Sequence, residues 1–233
     1  MPDTNLPSDL PQGTEKVKAV RSMFDAIAPR YDLVNRIMTF GLDIRWRRRS
    51  VRDLRLRPGS TVIDLASGTG DFCKELARQG MQPLSFDLSF GMLVADHSGE
   101  PRAQADILRL PLPSGSADGA TCGFALRNLE SLAPFFAELA RVVRPGGRIA
   151  LLDVGQPTNK FLRWGHGIYF GKIVPKIGGW LSDPAAYRYL PKSVAYLPEP
   201  ALMLQMLRDA GFADATRTLL PLGAAQLLLG TRS

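Results

Sequence analysis

The sequence predicts an α/β fold: a mostly parallel sheet with helices on both faces. Three observations carry this reading. From Thr61 onward, short apolar runs alternate with helical patterns, the order that builds parallel sheets. One of those runs leads through a glycine turn, Asp64-Leu65-Ala66-Ser67-Gly68-Thr69-Gly70-Asp71, into a helix. The chain of 233 residues, 45% hydrophobic and 22% charged, has the length and composition of one domain with a sizeable core.

Taken in order, residues 1–14 read as a disordered tail, short of large apolar groups and punctuated by Pro2, Pro7, Pro11 and Gly13. Residues 15–57 form an N-terminal helical extension. Val20, Met23, Phe24, Ile27 and Tyr31 recur at three- and four-residue spacing, and Pro29 breaks the pattern into two or three helices. After the Pro58-Gly59 turn come a strand at Thr61–Leu65, a helix at Phe72–Arg78 and a strand at Pro83–Asp87. Another strand is expected at Asp118–Phe124. A helix at Leu132–Val143 should stop at Pro145-Gly146-Gly147, and a strand follows at Ile149–Val154. Residues 157–198, rich in glycine, proline, aromatic and basic residues, read as an inserted substrate or lid lobe. A helix at Leu202–Ala210, capped by Gly211, precedes final strands at Ala215–Leu220 and Ala225–Gly230.

Composition narrows the function. No unbroken apolar run reaches the roughly 18 residues needed to span a bilayer, and no secretory leader is evident. Two cysteines imply no disulfide framework, and two well-separated histidines give no expectation of a Cys/His metal site, so a reducing cytoplasm fits. The net charge of +7 concentrates at Arg45, Arg47, Arg48, Arg49, Arg52, Arg55 and Arg57. A solvated helix face or an anionic membrane surface explains this cluster; no nucleic-acid motif accompanies it.

The glycine turn lies where open parallel sheets bind ligands, beyond the carboxyl end of a strand. Gly68 and Gly70 permit backbone conformations and close approaches that a side chain would block. The third glycine of the dinucleotide fingerprint is missing, which counts against a pyrophosphate. Asp87, with Leu88 beside it, ends the second strand and is placed to accept both ribose hydroxyls; Asp106 could reach an adenine amino group. Three acids, Asp64, Asp87 and Asp106, suit a ligand bearing sulfonium and ammonium groups and would repel a pyrophosphate. S-adenosylmethionine is therefore expected rather than NAD.

Longer motifs then coincide with a known family. Phe24-Asp25-Ala26-Ile27-Ala28-Pro29-Arg30-Tyr31-Asp32-Leu33-Val34-Asn35, with Phe40-Gly41 and Trp46-Arg47, resembles the N-terminal signature of the menaquinone/ubiquinone C-methyltransferases. Ala125-Leu126-Arg127-Asn128-Leu129 resembles the second signature, and Tyr187–Ser193 and Ala210-Gly211-Phe212 extend the likeness from about residue 17 to the end. The resemblance implies a Rossmann-like class I methyltransferase with a seven-stranded sheet, acting on a prenylated hydroquinone ring, most simply demethylmenaquinol. It puts Thr69, Asp87, Asp106, Ile107 and Gly123 at cofactor-contact positions, and Tyr31, Asp71, Arg127 and Asn128 at positions linked to substrate or catalysis. Gly123-Phe124-Ala125 stands where Ser-Phe-Gly is usual, and Asp153-Val154-Gly155 where an acidic-Phe-Ser is commoner. These departures leave room for another aromatic or polyketide-like substrate, or for a non-catalytic cofactor-binding paralogue.

A ring carbon becomes a good nucleophile when a neighbouring phenol loses its proton. Arg127 and Asn128 are expected to stabilise that oxyanion while water or Asp71 takes the proton. Each has a structural alternative: Arg127 paired to a carboxylate, Asp71 as a helix cap, Tyr31 as a packing aromatic. His166 is a further candidate base. Residues 160–181 combine Phe161, Trp164, Tyr169, Phe170 and Trp180 with Lys160, Arg163, Lys172 and Lys176, a mixture that suits peripheral contact with a membrane or a lid over the site. The reading includes no nucleic-acid partner and allows a homodimer.

Overall fold

The architecture is given by a computed structural model, which describes residues 13–155, 169, 189 and 193–233. Thr61–Leu65 is β-branched and apolar enough to lie at the middle of the sheet as β1, flanked in parallel by β2 (Gln82–Asp87) and β4 (Ala117–Gly123). β3 (Arg102–Gln104) extends β2 at the edge, and β5 (Val143–Val154) runs parallel to β4. β6 (Thr216–Leu219) and β7 (Ala225–Thr231) form an antiparallel pair, with β7 against β5. The resulting seven-stranded order, β3-β2-β1-β4-β5-β7-β6, reverses direction of travel between β1 and β4. That switch point is where an open sheet leaves a crevice for a ligand.

Alternation along the strands divides the core in two. Ile63, Leu65, Ile149 and Leu151 face one side, against α6 (Leu132–Val142) and α7 (Pro200–Asp209). Val62, Ala150, Leu152 and Leu227 face the other, against α3 (Leu42–Leu54) and α4 (Asp71–Arg78). A third cluster, Ile27, Ala28, Val34, Met38 and Met92, joins α1 (Gly13–Ile27) and α2 (Tyr31–Thr39) to α5 (Phe90–Val94). The expected proline break is present as a 3₁₀ turn at Ala28–Arg30 between α1 and α2.

Several boundaries differ from expectation. Gly13 and Thr14, assigned to the tail, already belong to α1, while residues 1–12 lie outside the described set. The strand expected at Ile149 begins at Val143, so Pro145-Gly146-Gly147 falls inside β5, where the pairing with β4 shifts register instead of ending. The inserted lobe, His166 and the basic aromatic run lie outside the described residues, apart from Tyr169, Tyr189 and the stretch from Ser193. Among the described residues no helix is long and apolar enough to cross a membrane.

Candidate active site

A cavity of about 480 Å³ opens at the switch point, a volume suited to a small-molecule cofactor. Its floor is the carboxyl ends of the strands: Ala66 and Gly68 after β1, Asp87 and Leu88 at the end of β2, Gly123, Phe124 and Ala125 at the end of β4. Ala66 and Phe124 have φ of +51° and +60°, and Gly68 has +58°. Non-glycine residues held in that region cost energy and gather where a backbone is shaped around a ligand.

Asp87 is the most constrained acid on the wall. Its Oδ2 accepts from the Gly68 N–H and its Oδ1 from the Ser89 N–H, both at 2.8 Å. Burial pushes its carboxyl above the usual range, against the pull of those two amides. One lone pair on each oxygen remains for a diol. Leu88, Ile107 and Leu108 make an apolar slot beside it, and Asp106, whose Oδ1 accepts from the Leu108 N–H at 2.9 Å, stands at its rim. An apolar slot, an edge acceptor and a bidentate acid fit adenine and ribose, so the donor set suits S-adenosylmethionine.

Not every candidate reaches the cavity. Asp64 is turned toward α4, buried, accepting from Thr121 Oγ1 at 2.7 Å and Cys73 Sγ at 3.6 Å. Its strand parity explains this: Asp64 shares the face of Val62, whereas the neighbouring Leu65 faces the other side. The trio of acids therefore reduces to Asp87 and Asp106 on the wall. Thr69 and Gly70 also lie behind it; Thr69 Oγ1 donates to Asp32 Oδ1 at 2.6 Å, and a Cβ on Gly70 would fall 2.6 Å from Asp96 Oδ2.

Burial raises the Asp64 carboxyl to about 7, with the Thr121 hydroxyl, Arg47 and Cys73 pulling the other way. The folded state then keeps a proton that the unfolded state, near 3.8, gives up. Stability from this group is complete below about pH 4 and is lost as pH rises through about 7, at up to about 1.4 kcal/mol per pH unit. Asp64→Asn removes that loss. Urea unfolding should show the variant gaining on the wild type from acidic to neutral pH; a constant difference would contradict a protonated Asp64.

Two proposed catalytic groups are likewise engaged elsewhere. Arg127 is buried and off the cavity wall; its Nη1 donates to Asp153 Oδ1 at 2.5 Å and Phe124 O at 2.8 Å, and its Nε to Ser193 Oγ at 3.2 Å. The carboxylate-paired alternative is the one realised. Asp71 receives two bonds of 2.8 Å from Arg36 Nη2 and lies 3.5 Å from Arg47 Nη1. Burial draws the Asp71 carboxyl upward, but Arg47 and Arg36 outweigh it and hold it below the usual range. Such an acid is a poor proton acceptor at neutral pH, which favours water over Asp71 as the acceptor. Asp32 and His97 converge on the same spot, within 4.8 Å, but the two arginines already supply its positive charge.

Tyr31 and Asn128 do line the cavity. Burial pushes the Tyr31 phenol up, while a side-chain hydrogen bond with Asn35, and after it Arg47 and Arg127, oppose the shift, so at neutral pH it is a hydroxyl. Asn128 Oδ1 accepts from the Tyr189 hydroxyl at 3.4 Å, and its amide faces Phe124 O at the same distance.

The opposite wall was not foreseen. Thr14, Val17, Lys18, Val20, Arg21 and Phe24 of α1 close over the cavity. α1 is anchored at both ends. Lys16 Nζ donates to Leu129 O at 2.6 Å and sits 3.4 Å from the Tyr196 ring centre, while Asp25 Oδ1 accepts from Ser89 Oγ at 2.6 Å and the Gly91 N–H at 2.9 Å. The apolar spacing of Val20 and Phe24 was visible; its destination was not.

The sequence profile of the ubiE/COQ5 methyltransferase family matches residues 12–232. The chain belongs to that family. It is 38% identical to a demethylmenaquinone methyltransferase of Roseiflexus castenholzii, over 96% of this chain and 97% of the relative. A second demethylmenaquinone methyltransferase, from Thermus thermophilus, is 39% identical over 90% of this chain and its own full length. The ubiquinone/menaquinone biosynthesis C-methyltransferase UbiE of Geobacter sulfurreducens is 35% identical, over 94% and 90%. Among solved structures, a putative S-adenosylmethionine-dependent methyltransferase of Methanococcus maripaludis superposes with a TM-score of 0.64 at 18% identity, over 88% of this chain and 92% of that one. The Haloferax volcanii complex of the Trm112 activator with a putative methyltransferase gives 0.65 at 16%, over 89% and 96%. The fold is that of class I methyltransferases, and the chain is an S-adenosylmethionine-dependent methyltransferase.

Proposed function

We propose that this methyltransferase adds a methyl group to a ring carbon of a prenylated hydroquinone, with demethylmenaquinol as the substrate. The observation that carries the reading is the cavity shared by Asp87, Asp106 and Ile107 with Tyr31 and Asn128, in a chain 38% identical to a demethylmenaquinone methyltransferase along nearly its whole length. The cofactor, when bound, supplies an electrophilic methyl group on a cationic sulfonium.

Asp87 and the Leu88–Ile107–Leu108 slot hold the nucleoside end. Tyr31 donates to a quinol oxygen, and the Asn128 amide steadies the same ring. Arg127, its charge balanced by Asp153, holds Phe124 O and so keeps the floor beneath the ring in place. α1 excludes water over the reacting atoms. The proton acceptor is then solvent at the cavity mouth, because Asp71 is held by two arginines. The prenyl tail makes the membrane the source of substrate, so peripheral membrane contact belongs to the same proposal.

Transfer of label from S-adenosylmethionine to reduced demethylmenaquinone in detergent tests the reading, with a soluble naphthoquinol alongside. Label in the lipid is expected. Cofactor binding without transfer to either quinol would reject the substrate and leave other aromatic acceptors. Tyr31→Phe should lower kcat roughly a hundredfold with the cofactor Kd unchanged, as for loss of one donor to a developing oxyanion. An unchanged kcat would reduce Tyr31 to the packing role its contact with Phe24 already shows, with ring centres 6.0 Å apart.

A further inference from the structure

We propose that the outward face of α2 and α3 docks the enzyme on a bilayer containing anionic lipid. The inference deepens the quinol reading by naming the surface, but it stands on its own observations. α2 is apolar on two sides. Val34 and Met38 pack inward on Met92, while Leu33, Ile37 and Phe40 repeat at helical spacing on the outside, 56%, 38% and 79% exposed. Ile44 at the start of α3 continues the exposed set. An inward stripe suffices for core packing; among the described residues only Tyr169 packs on the second stripe, at Phe40.

Phe40 is displayed deliberately by the backbone. It caps α2 in the left-handed region, φ +52°, with its N–H on Arg36 O and Ile37 O, leaving the ring at the corner between the two helices. Tyr169 braces it from one side, ring centres 5.8 Å apart, with its own hydroxyl donating to Met38 O at 2.7 Å.

Charge selects the occupant. Residues 30–57 hold nine arginines against three aspartates, +6 of the net +7. Arg45, Arg48, Arg49 and Arg52 are exposed on α3, with Glu75 beside Arg48 and the single Asp53 shared by Arg49 and Arg52, whereas Asp43 is buried within its bonds to Arg36 and Arg47. An apolar corner rimmed by arginine matches acyl chains below and anionic headgroups around them. α2 also links this face to the chemistry. Tyr31 at its first turn lines the cavity, and Phe40 lies at its far end, about 13 Å along at 1.5 Å per residue. A quinol headgroup lifted from the surface meets the cavity within one helix length.

The test uses the full chain and sedimentation with phosphatidylcholine vesicles, with and without phosphatidylglycerol. Wild type should partition to the anionic vesicles and be released by salt. The double variant Ile37→Gln/Phe40→Gln should bind at least about tenfold more weakly, and Arg45→Glu/Arg52→Glu should lose the preference for phosphatidylglycerol. Both should methylate a soluble naphthoquinol at the wild-type rate and lose only turnover of vesicle-embedded quinol. Because Cys73 and Cys122 are buried, an environment-sensitive label on Phe40→Cys reports the corner directly, against Arg78→Cys on α4 as control. A blue shift at 40 but not 78 is expected. No vesicle binding by wild type, as a protein-docking face would give, or variants that bind like wild type, would overturn the proposal. Vesicle binding through Phe40 with no quinol turnover would support docking and reject the substrate.

Discussion

Arg127→Met will lower the free energy of unfolding by about 3–5 kcal/mol, the usual cost of leaving one member of a buried ion pair alone. Asp153 is fully buried, and the guanidinium is its counter-charge at 2.5 Å. The same guanidinium holds Phe124 O and Ser193 Oγ, so one side chain ties the end of β4 to β5 and to the C-terminal segment. Removing it strands a carboxylate and frees Phe124, whose φ of +60° shapes the cavity floor. Methyl transfer should therefore fall as well, by loss of site geometry rather than of a group touching substrate. Arg127→Met/Asp153→Leu separates the two effects. With the stranded charge gone, stability should recover in part, short of wild type because the Arg127 and Val154 N–H groups lose Asp153 as acceptor. Activity should stay low. Denaturant unfolding of both variants measures this; equal midpoints for wild type and Arg127→Met would show that the pair contributes nothing to the fold.

The contrast between Arg127 and Asp87 shows what was legible in the chain. Central strands announce themselves because they are buried on both faces, so Thr61–Leu65 and Ile149–Val154 stand out as apolar runs, each interrupted by one aspartate. β3 does not, being three exposed edge residues. Pro145-Gly146-Gly147 reads as a stop, yet a register shift lets β5 carry it. For the site, position relative to a strand end was readable: the carboxyl end of β2 puts Asp87 on the cavity wall. Which way a side chain points, and who meets it, was not. Strand parity sends Asp64 behind the glycine turn. Asp71 and Arg127 find partners 35 and 26 residues away in sequence, and local spacing carries no trace of either pairing. The closing of α1 over the cavity depends on Lys16 reaching Leu129 and Asp25 reaching Gly91, contacts equally invisible to a helical wheel.

Asp87→Asn should weaken S-adenosylmethionine binding by about a hundredfold or more, roughly 2.7 kcal/mol. Isosteric exchange of acid for amide is often mild, but not here. Both carboxylate oxygens already accept a backbone N–H at 2.8 Å, Gly68 on one side and Ser89 on the other. An amide has one acceptor. Whichever way it is turned, its NH₂ confronts an N–H where a bond stood. The cheapest relief is movement of the glycine turn or of the start of α5, and both are cavity wall. The variant thus loses an acceptor for ribose and the shape of the floor together. Asp87→Ala loses the acceptor but lets water meet the two N–H groups, so it should bind the cofactor poorly while staying nearer wild type in stability than Asp87→Asn. Acidification should act in the same sense. Burial holds the Asp87 carboxyl above its usual range, so protonation, which turns one oxygen into a donor, begins at higher pH than for an exposed aspartate. Affinity is then complete above that pKa and lost as pH falls through it. Calorimetric titration with S-adenosylhomocysteine at several pH values, on wild type and both variants, measures all three effects. An Asp87→Asn Kd within about threefold of wild type would mean that the ribose is held elsewhere and that Asp87 serves only to fold the turn.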